Sequence, residues 1–262
     1  MNQARLSVHN AVKSQLANDE VALSMTVRLV RTVEIASLAA TAGFDSLYID
    51  LEHSSFTLDT TSQICIAALG AGVTPLVRVP SLDDIPRVLD GGALGVIAPH
   101  VESAVDAARV VSAAKFPPFG HRSFSANLPH FQFRSLPTTE VMTALNDATT
   151  VIVMIESDSA LQAVEEIAAV AGVDVLLVGT NDLCASLGIP GQLDHELVRN
   201  AYERCAAACG RNGKHLGIGG LAGNPKFTSE LIKLGARYVS TGTDLSFLLA
   251  AATARAKQMR EL

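Results

Sequence analysis

Two acidic residues of the sequence stand where a metal ion could be bound. Glu156 follows the apolar run 151–155, and Asp182 lies shortly after the apolar run 175–179. If these runs are neighbouring parallel strands, about 4.8 Å apart, the two carboxylates repel each other unless a cation lies between them. Carboxylate oxygens, with other positions left to water or substrate, favour Mg²⁺ or Mn²⁺ over Co²⁺ or Zn²⁺. The alternative is that each carboxylate caps the helix that follows it.

A histidine and an arginine stand at the ends of two other apolar runs. His53 lies in IDLEHS at 49–54 and is predicted to be a general base, because the pKa of an unperturbed histidine is about 6.5. Asp50 could orient its imidazole, with Glu52 as the competitor for that role. Arg78 follows the run PLV, and its fork of donors suits a carboxylate or a developing oxyanion. The alternative for Arg78 is an ion pair with one of these two acidic residues.

Lysine is missing from the ends of the predicted strands. The lysines of the sequence are Lys13, Lys115, Lys214, Lys226, Lys233 and Lys257. A Schiff-base mechanism needs an amine inside the pocket, so carbanion chemistry here would use a metal ion as the electron sink. The sequence also contains no GxGxxG motif and no P-loop, because the glycine-rich stretch 217–223 lacks their spacing.

A repeating pattern positions these residues. A helical stretch ends in Gly, the usual C-cap, and an apolar run follows without polar alternation, as in strands buried on both faces. The eight predicted strands, each followed by a helix, predict an α/β fold, a closed (β/α)8 TIM barrel forming a single domain over 1–262, with a doubly wound open sheet as the alternative. Barrel active sites lie at the carboxyl ends of the strands. The predicted strands are 22–26, 46–50, 75–79, 95–99, 151–156, 174–179, 214–218 and 238–242, and the predicted helices are 31–42, 57–70, 84–91, 102–114, 158–170, 195–211, 225–235 and 244–259.

One connection is much longer than the others. Residues 116–150 carry several Phe residues together with Arg122, which is predicted to contact the substrate. Because loops of this length are usually functional or disordered, we expect an ordered lid or a subunit contact here. A plain surface excursion is the alternative.

Composition limits the partners and the location of the protein. The chain has 262 residues and a formal net charge of -6, and this acidic balance argues against a nucleic-acid partner. The longest uncharged run, 60–77, contains Ser, Gln, Gly and Pro and is not expected to span a membrane. The N-terminal stretch lacks the apolar core of a signal peptide, and the four cysteines lack zinc-site spacing. We therefore expect a cytoplasmic protein with free thiols.

Six segments taken together resemble one enzyme family. They are AGFDSLYIDLEHS at 42–54, PLVRVPS at 75–81, FPPFGHRS at 116–123, VIVMIES at 151–157, AGVDVLLVGTNDLCASLG at 171–188 and GARYVSTGTD at 235–244. In this order they resemble the HpcH/HpaI aldolases, the metal-dependent pyruvate aldolases of the 4-hydroxy-2-oxoheptanedioate type, within the phosphoenolpyruvate/pyruvate barrel superfamily. The resemblance implies a TIM barrel whose last helix packs on a partner subunit, in a homohexamer built as a trimer of dimers.

The same resemblance implies roles for individual residues. A divalent metal ion would be held by Glu156 and Asp182. His53 would be the base, assisted by Asp50, and Arg78 would contact the substrate and stabilise its oxyanion. These roles coincide with the chemistry that the residue types themselves favour.

Other positions depart from the pattern of the family. The backbone of Gly179 and Thr180 would hold the pyruvate carboxylate, but the family usually has Pro at the second of these positions. Met154, a predicted substrate contact, stands where Gln is usual, and this removes a hydrogen-bond donor and acceptor beside the keto acid. After Arg122 the chain has Ser where Gly is more usual. Asp90 is the match for an aspartate that approaches the family's site from a neighbouring subunit.

The function that the resemblance implies is that of a class II aldolase. Such an enzyme reversibly cleaves 4-hydroxy-2-oxo acids to pyruvate, or a related 2-oxo acid, and an aldehyde, through an enolate that the metal ion stabilises; in the family this serves the catabolism of aromatic compounds. The departures at Met154 and Thr180 keep open an oxaloacetate decarboxylase or another carbon–carbon lyase, such as a citrate-lyase-like enzyme. A non-catalytic protein that binds keto acids is a third alternative, disfavoured because binding alone needs no base.

Overall fold

The eight predicted strands form a closed barrel. The structure, a computed structural model, describes residues 5–262, and each strand pairs in parallel with its neighbours in chain order, with the last strand closing on the first. This confirms the (β/α)8 TIM barrel and excludes the open doubly wound sheet. The strands are β1 (Ala22–Val27), β2 (Ser46–Asp50), β3 (Thr74–Arg78), β4 (Gly95–Ala98), β5 (Thr150–Ile155), β6 (Val175–Gly179), β7 (His215–Gly219) and β8 (Ala236–Thr243).

Helices alternate with the strands. They are α1 (Ala11–Ala17), α2 (Glu34–Ala42), α3 (Leu58–Ala71), α4 (Asp84–Asp90), α5 (Ala104–Ala114), α6 (Thr138–Ala148), α7 (Asp158–Gln162), α8 (Val164–Ala168), α9 (Thr180–Ser186), α10 (Glu196–Asn212), α11 (Pro225–Leu234) and α12 (Asp244–Arg260). The sequence does not predict α1, α6 or α9, which lie outside the repeating pattern. The predicted helix 158–170 is divided into α7 and α8 by a break at Ala163.

Apolar side chains fill the interior of the barrel. Every residue of β2 to β6 is buried, which explains why these runs do not alternate with polar residues. Tyr48, Met154 and Tyr238 belong to the cluster inside the barrel, and Val12 and Leu16 of α1 complete it. Because α1 covers the amino end of the barrel, the carboxyl end is the one that remains open.

The strand register decides which polar residues stand side by side at this open end. Asp50 is paired directly with Arg78 between β2 and β3. The pairing of β1 with β2 places Arg28 level with Asp50, and the pairing of β5 with β6 places Glu156 level with Gly179. Charged residues from β1, β2, β3 and β5 therefore meet at one height.

The long connection 116–150 packs near the amino ends of β4 and β5. It contains a 3-10 turn (Pro129–Phe131) and α6, and its own buried cluster includes Phe116 and Leu145. His130 Nε2 lies 3.0 Å from the Ala93 carbonyl, which precedes β4. None of its residues lines the cavity at the open end of the barrel. The prediction that this connection forms a lid over the cavity is therefore wrong, because the connection packs at the amino ends of the strands and α6 leads directly into β5. The prediction of a subunit contact stays a prediction.

Two expectations about the chain as a whole can be compared with the structure. The four cysteines are buried free thiols, as expected. Within residues 5–262, no helix has both the length and the apolar character needed to cross a bilayer.

The histidine of the long connection predicts an acid-sensitive fold. His130 Nδ1 is buried and has no hydrogen-bond partner among residues 5–262. Burial lowers the pKa of His130 to about 4; Arg122 lowers it further, and the Ala93 carbonyl and Asp90 oppose the shift. Between about pH 6.5 and pH 4 the unfolded chain therefore binds a proton that the folded chain does not. The neutral His130 therefore leaves the unfolding free energy at its full value above this pH window, and the unfolding free energy decreases as the pH falls through it.

The expected loss is measurable by urea unfolding at pH 7.5 and pH 5. His130 accounts for about 2 kcal/mol of the difference in unfolding free energy between the two pH values. His130→Gln removes the titrating group, so this part of the difference should vanish. The exposed His121 of the same connection provides the control, since His121→Gln should lose stability at pH 5 as the wild type does. An undiminished difference in His130→Gln contradicts the assignment.

Candidate active site

A cavity of about 450 Å³ opens at the carboxyl end of the barrel. Of the residues predicted from the sequence, those that line it are His53, Arg78, Met154, Gly179, Thr180 and Asp182. Asp50 and Glu156 are buried directly beside this lining. The strand ends thus bring most of the predicted residues to one place, as the barrel architecture requires.

The arginine predicted to bind an oxyanion is held by two carboxylates. Arg78 Nε and Nη2 donate to the two carboxylate oxygens of Asp50 at 2.8 and 2.6 Å, and Nη1 lies 2.8 Å from Glu52 Oε2. Its guanidinium carbon lies 5.5 Å from the centre of the Tyr48 ring. Both interpretations of Arg78 from the sequence therefore apply, since the residue is ion-paired and also lines the cavity.

Burial and charge oppose each other in this pair. Burial raises the pKa of Asp50, but the hydrogen bonds and charge of Arg78, the His53 amide and the charge of Arg28 outweigh it and leave the pKa below its ordinary value. Burial likewise lowers the pKa of Arg78, yet Asp50 and its other neighbours raise it above its ordinary value. Both groups are charged at neutral pH, so Arg78 is a fixed positive charge at the cavity wall.

The structure corrects the way in which Asp50 supports His53. The Asp50 carboxylate accepts hydrogen bonds from the backbone amides of Glu52 and His53, at 3.0 and 3.2 Å, and not from the imidazole. His53 Nε2 lies 3.9 Å from Glu52 Oε2, which is too far for a hydrogen bond. Because its oxygens already accept hydrogen bonds from arginine, Asp50 positions the turn that carries His53. The imidazole itself is 53% exposed.

A second histidine, not predicted as a site residue, bridges two acidic residues. His100 Nε2 lies 2.7 Å from Glu52 Oε1, and its Nδ1 lies 3.0 Å from Glu156 Oε1. Its backbone amide donates to the same Glu156 oxygen at 2.8 Å. The φ of His100 is 56°, in the left-handed region that few non-glycine residues adopt. The sequence feature that could have identified His100 as a site residue is its position shortly after the fourth apolar run.

The chemistry of Glu156 and Asp182 fits a divalent cation. Burial raises the pKa of Glu156; His100 opposes this shift, and the charges of Asp182 and Glu52 reinforce it. Asp182 is exposed and lines the cavity. Residues 5–262 contain no cluster of three or more His, Cys, Asp or Glu side chains arranged around a metal position. Two carboxylates suit an ion such as Mg²⁺, which keeps its other positions for water and substrate.

A glycine allows Glu156 to approach the neighbouring strand. A Cβ on Gly179 would lie 2.9 Å from Glu156 Oε2 and 3.1 Å from Met154 Cε, so any larger residue would displace the carboxylate. Met154 Sδ accepts a hydrogen bond from Tyr48 Oη at 3.9 Å. Met154, which stands where the family usually has Gln, is therefore part of the largely apolar bottom of the cavity.

The other departure from the family pattern also has a structural role. Thr180 is fully buried, and its hydroxyl donates to the Gly219 carbonyl at 2.6 Å. The hydroxyl hydrogen is then used, so Tyr202 Oη donates to Thr180 Oγ1 at 2.7 Å. Thr180 thus ties the end of β6 to the end of β7.

The structure does not bring Arg122 to the cavity. Its Nη2 donates to Asp90 Oδ1 at 2.6 Å, its guanidinium lies 4.6 Å from the centre of the Phe116 ring, and its side chain is 1% exposed. The prediction that Arg122 contacts substrate is wrong for the cavity of its own chain, because the connection that carries it packs elsewhere. A contribution of Asp90 to a neighbouring subunit's site stays a prediction.

The comparison with known proteins decides the family. Residues 31–251, most of the chain, match the family model described as HpcH/HpaI aldolase/citrate lyase. The chain belongs to the HpcH/HpaI aldolase/citrate lyase family. This confirms the resemblance found in the six sequence segments.

Two relatives in the HpcH/HpaI family are aldolases. A 4-hydroxy-4-methyl-2-oxoglutarate aldolase of Chaetomium globosum is 40% identical over 248 residues, which are 93% of this chain and 92% of the relative. A 5-keto-4-deoxy-D-glucarate aldolase of Klebsiella pneumoniae is 33% identical over 90% of this chain and 91% of its own. These similarities support a carbon–carbon lyase of the aldolase type.

Solved structures that are similar to this chain share the whole barrel. An HpcH/HpaI aldolase from Desulfitobacterium hafniense superposes with a TM-score of 0.90 at 30% identity, covering 95% of this chain and 96% of that one. The citrate synthase SbnG superposes with a TM-score of 0.85 at 27% identity, covering 97% of this chain and 100% of that one. The same barrel therefore occurs in proteins named for different carbon–carbon bond reactions.

Proposed function

We propose that the protein is a class II aldolase with a divalent metal ion as cofactor. It would reversibly cleave 4-hydroxy-2-oxo acids to pyruvate, or a related 2-oxo acid, and an aldehyde. The observation that carries the proposal is the arrangement of Glu156 and Asp182 with Arg78 and His53 around one cavity. A buried carboxylate whose pKa is raised by burial and by two acidic neighbours is stabilised when a cation is bound beside it.

Each residue has a task in this reaction. Glu156 and Asp182 would hold the divalent ion, which would supply Lewis-acid stabilisation for the negative charge that develops when the C3–C4 bond of the 2-oxo acid breaks. Arg78 binds the developing oxyanion without reorganising, because Asp50 and Glu52 already fix its guanidinium. The backbone at the end of β6 binds the substrate carboxylate.

His53 moves the proton in this reaction. Its half-exposed imidazole at the cavity wall takes the proton of the 4-hydroxyl group during cleavage and returns it during condensation. The buried Tyr48 and Met154 close the cavity below. They exclude water from the position where carbanionic charge develops.

Pyruvate release from 4-hydroxy-2-oxo acids tests the proposal. Chelation should abolish turnover, and Mg²⁺ or Mn²⁺ should restore it. His53→Ala should lower kcat about 100- to 1000-fold, the usual contribution of a general base. The exposed His121→Ala should turn over like the wild type. Activity that survives complete metal removal contradicts the proposal.

Oxaloacetate decarboxylation is a second candidate, favoured by the replacement of a usual Gln by Met154 in the cavity floor. Loss of carbon dioxide from oxaloacetate leaves the pyruvate carbanion without removing any hydroxyl proton. His53→Ala should therefore retain decarboxylation while losing aldol cleavage. A wild type that decarboxylates oxaloacetate but cleaves no hydroxy acid would favour this candidate, or a lyase for another acid such as a citrate-lyase-like substrate.

We also infer a homo-oligomer. In α12 the side chains of Leu245, Leu248 and Leu249 are 50, 59 and 62% exposed, and Asp244 is its buried residue. A helix with this much exposed leucine is stabilised by covering it with a second copy of the chain. Sedimentation velocity would measure the mass of the assembly, and we expect a homohexamer built as a trimer of dimers. We also expect a cytoplasmic location.

A further inference from the structure

His100 connects two parts of the site that the proposed mechanism uses separately. Its Nε2 forms a hydrogen bond of 2.7 Å with Glu52 Oε1. Its Nδ1 lies 3.0 Å from Glu156 Oε1, and its backbone amide donates to the same oxygen at 2.8 Å. His100 itself is not among the residues that line the cavity. Any effect of His100 on the reaction therefore passes through the two carboxylates that it contacts.

The contact with Glu52 extends to the arginine of the cavity wall. Glu52 lies in the turn after β2, and its side chain is 13% exposed. Its Oε2 lies 2.8 Å from Arg78 Nη1, and its Oε1 is the oxygen that His100 contacts. Because both oxygens of this carboxylate are engaged, it has little freedom to rotate. His100 thus fixes the direction from which Glu52 holds the Arg78 guanidinium.

The contacts with Glu156 leave one of its oxygens free. The amide and Nδ1 of His100 both lie beside Oε1. Oε2 lies towards Gly179, only 2.9 Å from the position that a Cβ would take there, and it makes no hydrogen bond with residues 5–262. Gly179 ends β6, and Asp182 follows three residues later. His100 therefore leaves the free oxygen of Glu156 on the side of the strand that Asp182 follows.

The backbone of His100 is held in an unusual conformation. Its φ of 56° is one that few residues other than glycine adopt, and such strain persists only where surrounding contacts maintain it. The side chain is 72% exposed, so packing does not hold the ring in place. The contacts that hold the ring are those with Glu52 and Glu156. Strain of this kind is concentrated at functional sites.

We propose that His100 is a positioning residue that couples Arg78 to Glu156 through its contacts with two carboxylates. The inference rests on the proposed aldolase function, in which Glu156 holds the cation and Arg78 stabilises the oxyanion. Residues that orient a metal-binding side chain contribute about 10- to 100-fold to metal affinity or activity. Through Glu52 and Glu156, one side chain would keep both groups in the arrangement that a single substrate requires.

His100→Gly tests the coupling by removing the ring. Glycine adopts a left-handed φ without steric cost and keeps the amide that donates to Glu156. The thermal unfolding midpoint of the metal-free variant should therefore not fall. Titration calorimetry should show that Mn²⁺ binds about 10-fold more weakly or worse. At saturating Mn²⁺ and pyruvate, exchange of the pyruvate C3 protons with solvent deuterium should still be about 10-fold slower, because Arg78 is less well oriented.

A conservative variant separates the two contacts of the ring. The amide nitrogen of a glutamine can reach the place of Nε2 but not that of Nδ1. His100→Gln should therefore restore most of the exchange rate at saturating Mn²⁺ while Mn²⁺ affinity stays weak. A residue that only fills the turn would show no such division. Exchange as slow in His100→Gln as in His100→Gly overturns the connection through Glu52.

A second exposed residue with a left-handed backbone provides the control. Gln132 has a φ of 55° and does not line the cavity, so Gln132→Gly should keep the Mn²⁺ affinity and the exchange rate of the wild type. Wild-type Mn²⁺ affinity in His100→Gly, or a wild-type exchange rate, overturns the coupling. Tighter Mn²⁺ binding also overturns it, because the ring would then only neutralise Glu156 in competition with the cation.

The wild type reports on the proposed function separately. With Mn²⁺ it should exchange the C3 protons of pyruvate, a step that belongs to the aldolase reaction. Exchange by the wild type together with an equally active His100→Gly would overturn the role of His100 and leave the aldolase function standing. A wild type that binds no Mn²⁺, or that neither exchanges these protons nor cleaves hydroxy acids, would overturn the aldolase function and the inference with it.

Discussion

Glu156→Gln is expected to lower kcat/KM for retro-aldol cleavage by about 1000-fold or more. The substitution keeps the shape of the side chain and the acceptor for the His100 amide, but it removes the charge that would hold the cation. Lewis-acid stabilisation is worth several kcal/mol, and each 1.4 kcal/mol or so is tenfold in rate. Binding of Mn²⁺ should weaken in parallel.

Stability distinguishes this result from misfolding. Burial raises the pKa of Glu156, so the ionised carboxylate opposes folding at neutral pH and the neutral amide should not lower the unfolding free energy of the metal-free protein. Calorimetric titration with Mn²⁺ and thermal unfolding measure the two effects. Glu102→Gln is the matched control, because Glu102 is exposed and bonds to Ser159 outside the cavity. Unchanged Mn²⁺ affinity in Glu156→Gln would remove this residue from the metal site.

Asp50→Asn is expected to damage both stability and turnover. Asp50 is fully buried and is the shared acceptor of Arg78 and Arg28. Removing one partner from a buried ion pair costs about 3–5 kcal/mol, because the remaining charge is left uncompensated. Arg78 would also lose the pair of carboxylate oxygens that orients its guanidinium group, so we expect kcat to fall about 100-fold even in folded protein.

The opposite end of the same strand provides the control for Asp50→Asn. Asp45 precedes β2 and accepts hydrogen bonds from neutral donors, the Leu23 amide at 2.8 Å and Gln15 Nε2 at 3.1 Å. Asp45→Asn should cost about 1 kcal/mol and leave kcat unaltered. Urea unfolding and steady-state kinetics on both variants make the comparison. Equal losses of unfolding free energy and of kcat in the two variants would show that the ion pairs of Asp50 with the arginines contribute no more than ordinary hydrogen bonds.

The barrel could be predicted from the sequence because its signal is local and repeated. Gly followed by an uninterrupted apolar run recurs along the chain, and the observed bounds of all eight strands differ from the predicted ones by at most two residues. α1 and α6 carry no such repeat. Their places are decided by contacts with distant residues, as when Asn10 Nδ2 donates to the Ala148 carbonyl at 2.7 Å.

The sequence predicts which strand ends carry the residues of the site, but it does not predict which of these residues contact each other. Strand position alone placed His53, Arg78 and Asp182 at one cavity. Which acid contacts which cation depends on side-chain directions that a sequence does not state. The sequence therefore favours a contact between Asp50 and the His53 imidazole, whereas the structure pairs Asp50 with two arginines. The sequence also does not decide where Arg122 lies, because a long connection can pack at either end of a barrel.

Asp244 has a consequence for the behaviour of the protein on dilution. The residue that clamps the amides after β1 is also the first residue of α12, the helix with exposed leucines. If a second copy covers that helix, dissociation would loosen its first turn together with its remaining length. Arg28 would then lose its anchored backbone although no cavity residue had changed. Specific activity would then fall as the protein is diluted.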